Sequence, residues 1–183
     1  LKKFGHAYLL LALLSGLIIT FDQITKSLVR TNIEMWTGVW APWDWMIPYA
    51  RIIHVPNTGV AFGMFQGKGI VFTILSAIVS LVIIYYYPQV PKSDWSLRIA
   101  MGLQLGGAVG NLIDRIVIGH VTDFISVGNF AVFNIADASI SVGVAVLILG
   151  VWIQEKKEKQ RKEQVGEEDS SNLYQPEDSG VTQ

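Results

Sequence analysis

No cysteine occurs among the 183 residues. That absence removes disulfides, thiolate nucleophiles, zinc knuckles and lipid attachment to the chain's own sulfur. Charge is also scarce: Asp, Glu, Lys and Arg make up 16% of the chain, against roughly 25% in an ordinary soluble domain. Histidine is confined to His6, His54 and His120, with no H-E-x-x-H and no pair at metal-ligand spacing. A formal net charge of −1 without a basic face argues against nucleic-acid binding. Any chemistry must therefore come from oxygen or imidazole. What the chain has in quantity is hydrophobic residues, 51% of the total, the profile of a membrane protein.

Four stretches approach or exceed the roughly 20 residues needed to cross a bilayer. They cover residues 4–23, 69–87, 96–115 and 135–153. The third is the least apolar and the richest in glycine, a composition suited to close helix packing. Lys2 and Lys3 before the first stretch would also suit a signal peptide, but no A-x-A-like cleavage site follows. The start at Leu1 rather than Met suggests residues upstream of this numbering.

With four crossings both ends face one side, and Lys and Arg choose which. Lys2, Lys3, Lys92, Arg98 and five tail residues stand against Lys26, Arg30, Arg51, Lys68 and Arg115. Both termini are therefore expected in the cytoplasm, with residues 24–68 largely outside. Tyr85, Tyr86, Tyr87, Trp95 and Trp152 would mark the inner interface, and Trp36, Trp40, Trp43 and Trp45 the outer one. Residues 47–65 hold β-branched pieces punctuated by Pro and Gly, which predicts a small strand-and-turn element. Residues 1–153 read as one membrane-embedded domain. Residues 154–183, with five basic and eight acidic residues, read as a charged tail whose first part can extend the last helix before disorder begins.

The outer ends of the four stretches gather polar side chains. Asp22 and Lys26 lie at i and i+4; Asn111, Asp114 and Arg115 close the third stretch; Asp123 follows in the connection; Asn134 and Asp137 open the fourth. Each has a plain explanation. Asp22 with Lys26 can be a salt bridge, Asp114 and Arg115 can be tethers, and Asn134 with Asp137 can cap a helix. Capping does not explain the whole set. Four aspartates with only Lys26 and Arg115 nearby in sequence leave charge for protons to neutralise, and two close carboxylates do not readily ionise together. Such a pair can activate water with one member and protonate a leaving group with the other, as aspartic proteases do. Ser139 and Ser141 have no sequence-evident base partner.

The ordered motifs "DQITK", "NTGVAF", "GGAVGNLIDR", "VTDF" and "FNIAD" resemble those of bacterial lipoprotein signal peptidase, the signal peptidase II family, across residues 4–153. The resemblance implies an all-α four-transmembrane-helix bundle with a small extracytoplasmic β-element and a short interfacial helix before Phe65. It implies an intramembrane aspartic endopeptidase of the bacterial plasma membrane, with its site near the extracytoplasmic face. The enzyme would remove the signal peptide from diacylglyceryl-modified prolipoproteins just before the lipidated cysteine. Its catalytic pair falls on Asp123 and Asp137. Supporting positions fall on Asp22, Lys26, Asn57, Gly107, Asn111, Asp114, Arg115 and Asn134. Arg115 is expected to organise the loop that carries Asp123 through carboxylate hydrogen bonds, and Asn111 and Asn134 to position the pair or hold the substrate backbone. No metal or organic cofactor is implied; the partners are the lipidated precursor and membrane lipid, and the protein is expected to be a monomer. Val60 stands where many members have Ala, and the tail lies outside the shared pattern. A proton-coupled transporter would also place acids in a membrane, but no polar chain crosses the second stretch. A non-enzymatic scaffold would leave the acids without purpose.

Overall fold

The structure, a computed structural model, describes residues 2–59 and 69–173. In chain order these form α1 (Lys2–Asn32), β1 (Val39–Trp40), a 3-10 turn (Asp44–Met46), β2 (Ala50–Asn57), α2 (Gly69–Tyr86), α3 (Trp95–Val117), β3 (Val121–Val127) and α4 (Ile135–Leu173). The chain divides into two compact units, Leu1–Leu147 and Ile148–Gln183.

Three helical stretches among the described residues are long and apolar enough to cross a membrane: Tyr8–Asn32, Gly69–Gln89 and Ile135–Lys162. Their large apolar side chains stay exposed, among them Leu17, Phe21, Ile70, Leu81 and Ile148. An aliphatic surface of this extent needs lipid around it. α3 has 23 residues, about 35 Å of helix, but is less apolar. The reason lies in its place: Ala100, Met101, Leu105, Ala108, Asn111 and Asp114 are all buried, so protein rather than lipid surrounds much of it. Asp94 caps it, accepting from the Leu97 N–H at 3.2 Å.

At the end of the bundle near the N-terminus, Leu11, Ile83, Tyr87, Met101 and Leu105 form an apolar cluster. Tyr8 stacks on Tyr87 at 6.1 Å, and the Arg98 guanidinium lies 4.3 Å from the centre of the Tyr87 ring. At the other end sits a three-stranded antiparallel sheet, in order β1-β2-β3. Val55 pairs with Asp123 and Asn57 with Val121, beyond a register shift between Ile52 and Val55.

Three differences from the sequence reading have local causes. The helix expected to stop at residue 23 continues to Asn32, because residues 24–32 contain neither Gly nor Pro. The extension of the last helix expected of the first part of the tail runs far into it, through residues 154–173. They are rich in Glu, Lys, Gln and Arg, good helix formers, with Glu155–Lys159 and Glu158–Lys162 at i, i+4. Asp123 lies on a strand rather than in a loop: "VTDFISV" is β3, and its alternating β-branched residues are the signal for it. The interfacial helix expected before Phe65 falls partly on residues 60–68, outside the described residues, as does the second half of "NTGVAF"; the preceding Trp-rich stretch holds the 3-10 turn.

Candidate active site

Asp22, Lys26 and Arg30 follow one another at i, i+4 and i+8 along α1 and meet the C-terminal half of α3. The Lys26 ammonium and the Asp22 carboxylate are both fully buried, 2.8 Å apart, and the same ammonium is 3.4 Å from Asp114. Arg30 reaches the other Asp114 oxygen at 3.4 Å. Burying an unpaired charge costs several kcal/mol, so these two cations and two anions stand as a mutually compensated group. Further bonds complete it. The Asp22 Oδ1 accepts the Ala136 N–H at 2.9 Å, which ties α1 to the start of α4. The Gln23 amide donates to the Gly110 carbonyl at 3.0 Å and to Asp114 at 3.2 Å.

Asp114 also positions the strand that follows. Its Oδ2 accepts the Thr122 N–H at 2.9 Å, and Arg30 donates to the Thr122 hydroxyl at 3.1 Å. Asp114 and Arg30 therefore hold the segment beside Asp123, a task the sequence reading gave to Arg115. Consecutive helical residues are turned about 100° from each other, so Arg115 points to the cavity side of α3 and makes no hydrogen bond to Asp123 among the described residues. Its guanidinium lies 5.9 Å from the Phe72 ring centre, and it lines the cavity that holds Asp123 and Asp137.

Asp123 and Asp137 are joined through two asparagines. The Asn134 amide donates to Asp123 Oδ1 at 2.7 Å and to Asn111 Oδ1 at 3.1 Å. Asn111 donates to Asp137 Oδ1 at 2.8 Å, while its own oxygen also receives the Lys26 ammonium at 2.9 Å. Asn57 donates to Asp123 Oδ2 at 2.8 Å, and its oxygen accepts the Gly59 N–H. At the head of α4, Asn134 Oδ1 accepts the Asp137 N–H at 2.9 Å and Asp137 Oδ2 accepts the Asn134 N–H at 3.3 Å. This reciprocal pair is a capping box with Asp in the third position. Asp137 is thus both a helix cap and a member of the site, because its second oxygen remains for Asn111.

Burial, and next the charge of Asp137, push the Asp123 carboxyl up to about 7, against the opposing effect of the Asn57 and Asn134 hydrogen bonds and of Lys26. Unlike Asp22 and Asp114, neither Asp123 nor Asp137 has a Lys or Arg within salt-bridge distance among the described residues. The pair opens on a cavity of about 530 Å³ whose walls include Val132, Phe133, Ile140 and Val142.

Two glycines make the arrangement possible. A Cβ on Gly107 would collide with the Ala136 carbonyl and lie 2.6 Å from Ile140 Cγ1 and Ser139 Oγ; one on Gly110 would lie 2.7 Å from Asp22 Oδ2. Hydrogen in those places lets α3 approach α4 and leaves room for the buried carboxylate. All ten residues singled out from sequence lie in this assembly. Gln23, Arg30 and Thr122 were missed; Arg30 was signalled by its place on the Asp22–Lys26 stripe.

Fold and site together define a multi-pass membrane protein with a pair of carboxylates, linked through two asparagines, at one end of a helix bundle. Residues 14–153 match the family model described as signal peptidase (SPase) II. The chain belongs to the signal peptidase II family, a family of proteases. It is 42% identical to a lipoprotein signal peptidase of Shouchella clausii, over 78% of this chain and 93% of that one. It is 40% identical to that of Bacillus subtilis, over 85% and 99%. Among solved structures it is similar to a bacterial membrane enzyme obtained by the in meso method at 2.3 Å, with a TM-score of 0.73 and 28% identity over 80% of this chain and 90% of that one.

Proposed function

We propose that this protein is an aspartic endopeptidase that cleaves the signal peptide from diacylglyceryl-modified prolipoproteins immediately before the lipidated cysteine, with Asp123 and Asp137 as the catalytic pair. The observation that carries the reading is the division of the four buried acids. Lys26 and Arg30 compensate Asp22 and Asp114, while Asp123 and Asp137 share a cavity and have amide donors instead. Such a pair holds one proton between its members near neutral pH.

Asp137, in the first turn of α4 and bonded to the Asn134 N–H, serves as the anion; Asp123, raised toward neutrality, serves as the acid. Asp137 takes a proton from water as the water oxygen attacks the scissile carbonyl carbon. Asp123 gives its proton to the departing nitrogen, the C–N bond breaks, and a carboxylic acid and an amine leave. Proton exchange between the two carboxyls restores the starting state.

α3 serves as the fourth crossing of the bundle, its polar face turned to protein. Both termini lie in the cytoplasm of the bacterial plasma membrane and the carboxylates near the extracytoplasmic face, as the distribution of Lys and Arg favours. The lipidated precursor enters sideways from the bilayer, and one copy of the chain suffices. Purified protein given a purified diacylated precursor should release the signal peptide, and Asp123→Asn should not. Absence of cleavage by a well-folded preparation, or equal cleavage by the variant, would overturn the reading.

A further inference from the structure

A second cavity, of about 730 Å³, lies on the opposite side of β3. Strand geometry separates the two: Asp123 faces the site, and Phe124, the next residue, faces this groove. Its other walls include Leu28 and Val29 of α1, Val39 and Trp40 of β1, and Ile52 of β2. Leu13, Leu17, Phe21, Ile24 and Leu28 are all exposed, at spacings of three and four along α1, so they form one lipid-facing stripe. Leu28 belongs to both stripe and groove. The groove is therefore continuous with the surface that meets bilayer hydrocarbon, at the level of the exposed Trp40.

We propose that this groove holds an acyl chain of a membrane glycerophospholipid, from the leaflet on the side of the carboxylates, as a resident lipid distinct from any substrate. Thr25, Asn32 and Glu34 are the polar side chains of a lining that is otherwise apolar, so most of the wall offers water few hydrogen-bond partners, whereas a chain entering along the Leu17–Leu28 stripe stays in mainly apolar surroundings. A chain attached to a molecule at Asp123 is a poor candidate because the sheet stands between. β3 is bonded to β2 on one side and to Phe133 on the other, with the Phe124 and Ile125 N–H groups both directed at the Phe133 carbonyl. The resident chain packs against Phe124 and so supports the backbone that carries Asp123. The inference depends on membrane residence and not on the peptidase reading.

The test uses the full chain in vesicles of phosphatidylglycerol with a photoreactive diazirine in one acyl chain, followed by mass spectrometry of cross-linked peptides. Cross-links are expected at Val39 and Ile52 as well as at the lipid-facing control Leu17. Labelling of Leu17 with none in β1 or β2 would overturn the proposal, whether water, a second copy or another part of the chain fills the groove. In a second arm the diazirine is carried on the diacylglyceryl group of an added lipidated peptide, in unlabelled vesicles. The groove should then stay unlabelled; labelling there would assign it to that lipid and overturn the resident-lipid claim. Ile52→Trp, which fills the groove, should cut cross-linking at Val39 several-fold while leaving Leu17 unchanged. Unchanged cross-linking at Val39 in a variant with normal melting would also overturn the proposal.

Discussion

At the scale of single residues, four buried aspartates divide into two kinds according to what lies within hydrogen-bonding distance. Asp114 accepts from Gln23, Arg30 and the Thr122 N–H and faces Lys26, so its removal takes one of two carboxylates from the buried Lys26 and leaves the Thr122 N–H unmatched. Asp114→Ala should lower stability by about 3 kcal/mol or more, seen as a marked drop in detergent-solubilised melting. Asp123→Asn and Asp137→Asn retain shape, and each should abolish cleavage with little change in melting near pH 5. The double variant should be scarcely worse than either, because residues that act as a unit are non-additive. Substantial cleavage by the purified Asp123 variant would remove it from the pair.

Asp123 also predicts a pH dependence. Its carboxyl titrates near 3.8 in the ordinary state and at about 7 in the fold. Between those values the folded protein binds the proton and the unfolded chain does not. The contribution to stability is therefore complete below about pH 4 and is lost as pH rises toward 7. Asp123→Asn lacks this slope, so its melting temperature should rise relative to the parent between pH 5 and pH 8. The rise from 3.8 to about 7 sets an upper limit of about 4 kcal/mol. Parallel melting curves across that range would contradict the raised value.

At the scale of elements, the site is a junction at which α1, α3, α4 and the sheet are each fixed by another's side chains. The Asp22 to Ala136 N–H bond sets α4 against α1, and the Asp114 to Thr122 N–H bond sets β3 against α3. Gly107 and Gly110 allow these approaches. Gly110→Ala should displace the Asp22 carboxylate and so weaken its bond to the head of α4. Loss of cleavage with a modest loss of melting is expected. Gly107→Leu has α4 backbone in its way and should greatly reduce the yield of folded protein. A Gly107→Leu variant of normal yield and melting would show that α3 and α4 lie farther apart than in this structure.

At the scale of the whole molecule, the absence of cysteine permits a clean topology measurement. Single cysteines introduced at Val127, exposed at the end of β3, should react in intact cells with a membrane-impermeant maleimide. Cysteines at Lys92 or Lys162 should react only after the cells are opened. The reverse pattern would place the carboxylates on the cytoplasmic side and overturn the proposed topology.

The sequence by itself determined the membrane character, the positions of the apolar helices and the gathering of acids at one end. These depend on composition and on periodicity over neighbouring residues, which no distant contact alters. It also exposed the family motifs, and with them all ten residues later found in the site. Only the tertiary structure decided that Asp123 rides on a strand paired with β2, whose Asn57 lies 66 positions earlier, and that Arg30 rather than Arg115 holds that strand. Only it separated compensated acids from uncompensated ones, since Lys26 meets Asp114 and Asn111 across more than 80 residues of chain. Charge compensation falls steeply with distance in space, and distance in space is the quantity that order along a chain does not contain.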